Sequence, residues 1–82
     1  MARYFFDIYD DGGVALDEEG VELAGLDEMR SAALEALPDL VRGERPKGDR
    51  RILTIRVRDS GGRRLLHASL TLEARWLDGG RS

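Results

Sequence analysis

The chain has no cysteine, a single histidine, only two prolines and five aromatic residues among its 82. Without cysteine it can form neither a disulfide nor a thiolate metal site, and it has no thiol nucleophile. A cysteine-free chain suits the cytoplasm. No apolar run approaches the ~20 residues of a membrane span. The start, MARYFFDIY, has one positive charge and a short apolar run, and aspartates follow. That pattern does not read as a signal peptide, so a soluble, cytoplasmic protein with no membrane partner is expected. A chain this short reads as one domain, 1–82, and buries only roughly 60 % of its unfolded surface, which leaves little room for an enclosed pocket.

What is present is charge, unevenly distributed. The net charge is −3. Residues 1–41 hold eleven Asp and Glu against two Arg, and residues 42–82 hold eleven Lys and Arg against five acids. Halves of opposite sign attract one another within a fold, pair between protomers, or serve an outside partner.

Alternation and punctuation give the elements. Residues 3–9 read as a strand with Tyr4, Phe6 and Ile8 on one face and Phe5 and Tyr9 on the other. Asp10–Gly13 is a glycine turn, and 14–16 and 21–23 are short strands around the acidic loop Asp17-Glu18-Glu19-Gly20. Leu26, Met29, Ala33, Leu37, Leu40 and Val41 recur at helical spacing, with Asp27 as the expected N-cap. The helix is placed at about 27–41, with Pro38 expected to kink or break it after residue 37. Gly43–Arg50 is a polar loop. Period-two alternation then marks a hairpin, 51–58 and 63–75, turning at Asp59-Ser60-Gly61-Gly62. Trp76 closes its apolar row as an expected core anchor, and 77–82 is a tail. The expected class is α+β: an antiparallel sheet of about four strands, from two hairpins, with one amphipathic helix on one face.

Three groups of residues carry possible chemistry. Asp7, Asp11, Gly12 and Glu18 fall at positions one, five, six and twelve of a calcium loop, but position three is Tyr9 and the entering segment reads as strand. The plain alternative is a hairpin turn with a solvated acidic rim. Arg50, Arg51, Arg56, Arg58 and Arg63, with Arg42, Arg45, Lys47 and Arg64, form a basic strip able to follow phosphates. No aromatic alternates with the arginines to stack bases, and the plain alternative is a solvated sheet face. His67 has Ser69 two residues away, but no spacing requires a triad, so it reads as a wet strand residue. The glycine pairs do not sit between a strand and a helix, as a phosphate cradle requires.

Several of these segments resemble a known family. RYFFD at 3–7, the turn at 10–13, DEEGVEL at 17–23 and the alanine-rich helix at 32–36 are similar to short bacterial proteins grouped as a domain of unknown function. The resemblance covers most of residues 3–72; Pro38 departs from it. It implies no activity or catalytic residue. The order of elements is also similar to that of HicB-type antitoxins, without shared signature residues.

The sequence therefore leads to the expectation of a small non-enzymatic interaction or regulatory module without a cofactor. Self-association as a homodimer is expected, with Phe5 and Tyr9 as candidate interface residues facing away from the core. Nucleic-acid or phosphate binding by the Arg56/Arg58 strip is the alternative, then an antitoxin-type module, then a cation-binding or hydrolytic protein.

Overall fold

The computed structural model describes residues 1–42 and 50–78. The expected polar loop over 43–49 and the end of the tail, 79–82, lie outside the described residues. In chain order the elements are β1 (Ala2–Asp10), β2 (Gly13–Ala15), β3 (Val21–Leu23), α1 (Leu26–Val41), β4 (Arg50–Asp59) and β5 (Arg64–Glu73). The class is α+β, with an antiparallel sheet of five strands and one helix.

The strand order runs β2-β1-β4-β5, and β3 also pairs with β1. β2 lies against Ile8–Asp10 and β3 against Ala2–Tyr4, so the two short strands share one edge of β1 and are parted by the acidic loop. On its other side β1 pairs with β4 from Tyr4↔Asp59 to Tyr9↔Thr54. β3 and β4 are both antiparallel to β1 and hence parallel to each other, with α1 crossing between them. β5 completes the sheet along the full length of β4, with a register shift between Val57 and Arg58.

The pleat sorts the side chains. Phe6, Ile8, Leu53, Ile55, Val57, Leu66, Ala68 and Leu70 meet across neighbouring strands on one face. Met29, Ala33 and Leu37, one helical turn apart, are the buried residues of α1. Together with Tyr4 these form the core, in which Leu53, Ile55 and Val57 are almost fully buried. Ala33 is wholly buried, and the small side chain there permits a close approach of helix to sheet.

Both tight turns use one device. Asp10 Oδ1 accepts from the Gly12 N–H at 2.8 Å, and Asp59 Oδ1 accepts from the Gly61 and Arg63 N–H groups at 2.9 Å. An aspartate two residues ahead of a glycine thus imitates a turn of backbone.

Three expectations need correction. The helix is not broken at Pro38 but runs on to Val41, with Pro38 on its exposed side. The N-cap is Gly25, whose carbonyl accepts from the Met29 N–H at 3.0 Å, while Asp27 sits inside the first turn. There its charge still favours the positive end of the helix. Trp76 is 66 % exposed beyond the end of β5 and anchors no core. No helix among the described residues is long and apolar enough to cross a membrane.

Candidate functional site

The helix covers one face of the sheet; the opposite face carries the candidate chemistry. Phe5, Asp7 and Tyr9 of β1 point there, beside Thr54, Arg56 and Arg58 of β4 and His67 and Ser69 of β5. Asp7 is the one buried charged residue among those described. Burying a carboxylate requires a partner, and Arg58 supplies it. Arg58 Nε donates to Asp7 Oδ2 at 2.9 Å, and an Nη donates to Asp7 Oδ1 at 3.4 Å and to the Asp17 carbonyl at 2.8 Å. The guanidinium also lies 4.7 Å from the centre of the Phe5 ring. Hydrogen bonding to Asp7 raises the Arg58 pKa, and this outweighs the opposing effect of desolvation.

Asp17 completes this lock from the loop between β2 and β3. Its N–H donates to Asp7 Oδ1 at 2.9 Å. Its Oδ2 accepts the Phe6 N–H at 3.1 Å, and its Oδ1 accepts from Glu19 and Gly20 at 3.1 and 3.0 Å. The physical reason lies in the broken edge. Neither β2 nor β3 reaches the middle of β1, so the carboxylate takes the place of a strand for the Phe6 N–H. Burial alone would raise the Asp17 pKa. The bonds from Gly20, Phe6 and Glu19, together with the charge of Arg58, outweigh it and hold the carboxyl below its ordinary 3.8. Gly20 closes the loop at φ +74°, where a Cβ would come within 2.9 Å of both Arg3 Cγ and Phe5 Cε2.

The rest of the open face is a cross-strand weave of arginine and aromatic rings. Arg56 stacks 5.0 Å from the Tyr9 centroid and its Nε donates to His67 Nδ1 at 3.3 Å. Arg3 pairs with Glu22 at 3.2 Å and Arg51 with Asp10 at 3.5 Å. Two shallow grooves adjoin. One, of about 210 Å³, includes Asp7, Tyr9, Leu16, Arg56, Arg58 and Arg64 in its lining. The other, of about 400 Å³, is lined by Arg56, Arg64, Leu65, Leu66 and His67.

The structure scatters the expected cation set. Asp7 is engaged by Arg58, Asp11 lies exposed in the first turn, and Glu18 lies exposed in the acidic loop. Among the described residues no group of three or more His, Asp or Glu side chains is placed to hold a metal ion. Of the expected basic strip, Arg56 and Arg58 do share the open face, but Arg58 is consumed by the lock. Arg51 is tied to Asp10, Arg50 lies at the far end of the hairpin, and Arg63 is exposed in the second turn. Phe5 and Tyr9 face away from the core as expected, but an arginine covers each ring. Aromatics thus do interleave with the arginines, across the sheet and not along one strand. Asp17 was not among the expected site residues, whereas Arg64 belonged to the expected basic stretch. The Asp-x-x-Gly spacing of 17–20 was the available signal for the loop.

Residues 3–71 match a family model described as Domain of unknown function (DUF6894). No curated protein and no solved structure matches the chain.

Proposed function

The chain belongs to that family, since the match spans most of its length, and from this premise we propose that it is a small non-enzymatic interaction module that self-associates through the outer edge of β5. The family description carries no activity, so the reading rests on the surfaces of the molecule. One observation carries it. β5 is a ten-residue edge strand that pairs, among the described residues, only with β4. A long open edge is a template for another strand, and proteins that keep one free usually blunt it with proline, bulges or inward charge. β5 has no proline, and its register shift lies at one end, by Arg58 and Arg64, leaving the run from Leu66 to Glu73 regular.

Apolar exposure at the far end of the same hairpin supports the reading. The β4–β5 pair runs past the last β1 partner, Thr54, to Arg50↔Glu73. Ile52 and Leu72 are exposed there, with Trp76 and Leu77 just beyond. Pairing with a second copy would cover this arm and satisfy the edge at once. The non-enzymatic part is supported by the engagement of His67 with Arg56, which leaves Ser69 without a base in hydrogen-bond contact among the described residues.

Sedimentation equilibrium from micromolar to millimolar protein tests the proposal. A concentration-dependent rise to twice the monomer mass supports it; a strict monomer across that range rejects it.

A further inference from the structure

We propose that Arg56, Arg64 and His67 form a binding site for a phosphate oxyanion on the open face, spanning the two adjoining grooves. The first observation is a contrast among arginines. Arg3, Arg51 and Arg58 each hold a carboxylate. Among the described residues Arg30, Arg50, Arg56, Arg63, Arg64 and Arg75 hold none, and of these only Arg56 and Arg64 line the two grooves. Arg56 is instead oriented by the His67 Nδ1 and the Tyr9 ring, neither of which is a carboxylate that would neutralise the guanidinium. Its charge is therefore available to a ligand.

The second observation is convergence. Arg56 and Arg64 both line both grooves. In the β4–β5 ladder Arg56 stands opposite His67 and Arg58 opposite Arg64, and the register shift between Val57 and Arg58 lies between the two pairs. Two guanidinium groups that line the same grooves can close around one tetrahedral anion. His67 is exposed at the same rim.

The chemistry of the walls narrows the ligand. Arg56 and Arg58 already stack on the Tyr9 and Phe5 rings, so a base would have to compete with an arginine for them. Recognition would therefore run through phosphate oxygens, and a compact phosphate dianion fits two arginines better than a monoanion. The same phosphate chemistry could come from a small phosphorylated compound or from a polynucleotide backbone.

The test is a titration of the isotopically labelled full chain with inorganic phosphate, read by the Arg Nε–Hε signals and backbone amides. Saturable shifts confined to Arg56, Arg64, Leu65, Leu66 and His67 are expected. Arg56→Gln with Arg64→Gln should weaken binding at least tenfold. Arg30→Gln, an exposed change on the helix, should leave it unchanged. Unsaturated shifts up to 50 mM phosphate, or binding that survives the double variant, would overturn the site. Arg64 is exposed and Arg56 lies outside the core, so unchanged circular dichroism would show that lost binding is not lost folding. With the site established, an oligothymidylate that shifts the same signals at lower concentration identifies a polynucleotide phosphate, and equal potency of phosphoserine identifies a small ligand.

Discussion

Replacing Asp17 with alanine probes the joint on which the broken edge of the sheet depends. The carboxylate accepts three backbone N–H groups, from Phe6, Glu19 and Gly20. The Phe6 N–H sits in the middle of β1 in a partly buried setting, and leaving it without an acceptor costs about 1–3 kcal/mol. The two loop bonds are more open to water and add about 0.5 kcal/mol each. The expected loss is about 2–4 kcal/mol. An 82-residue domain has roughly 4–12 kcal/mol in total, so this is a large fraction of its stability. The melting temperature should fall by about 10–30 °C. Urea unfolding followed by far-ultraviolet circular dichroism measures the change; Trp76 is too exposed to serve as the reporter.

The acid limb adds a second reading of the same variant. The folded Asp17 carboxyl lies below 3.8, its ordinary value. A group depressed in the folded state stabilises fully above its unfolded pKa, and that contribution drains away as pH falls through the folded pKa. The gap between wild type and Asp17→Ala should therefore be constant near neutrality and shrink as pH drops below about 4. A loss under about 0.5 kcal/mol at pH 7, or a gap that widens on acidification, would refute the role given to this carboxylate.

Other substitutions test the neighbouring parts. Asp7→Ala leaves the Asp17 N–H without an acceptor and Arg58 without its carboxylate, and should cost about 2 kcal/mol in urea unfolding. Gly20→Ala forces a side chain into φ +74° against Phe5, Arg3 and the Tyr4 carbonyl, and should cost about 1–3 kcal/mol by the same assay. Pro38→Ala restores a helical hydrogen bond to the Leu34 carbonyl and should stabilise by about 1–3 kcal/mol; a lower melting temperature would contradict the continuous helix.

Much of this architecture was legible in the sequence because its signals were periodic. Alternation from Leu53 to Leu70 located the β4–β5 hairpin, and the spacing of Met29, Ala33 and Leu37 located the helix face. Strand order was not legible, since it depends on which edge of β1 each later strand joins. Pro38 misled because propensity describes an isolated helix, and here packing of Met29, Ala33 and Leu37 holds the rod together across the missing bond. Trp76 misled because alternation continues into residues that no neighbouring strand accompanies: β5 ends at Glu73. The candidate site was half visible. Arg56 and Arg58 stood out as a pair, but residues 51 positions apart had to meet before Arg58 could be recognised as the partner of Asp7. The acidic loop suggested a cation, whereas its carboxylate Asp17 is turned to backbone N–H groups.

Residue-resolved amide hydrogen exchange along β5, at protein concentrations from micromolar to millimolar, tests the central claim most directly. An edge that recruits a second copy predicts that the outward amides between Leu66 and Glu73 gain protection as concentration rises, while those of β4 stay constant. Fast exchange along β5 that is indifferent to concentration would contradict it.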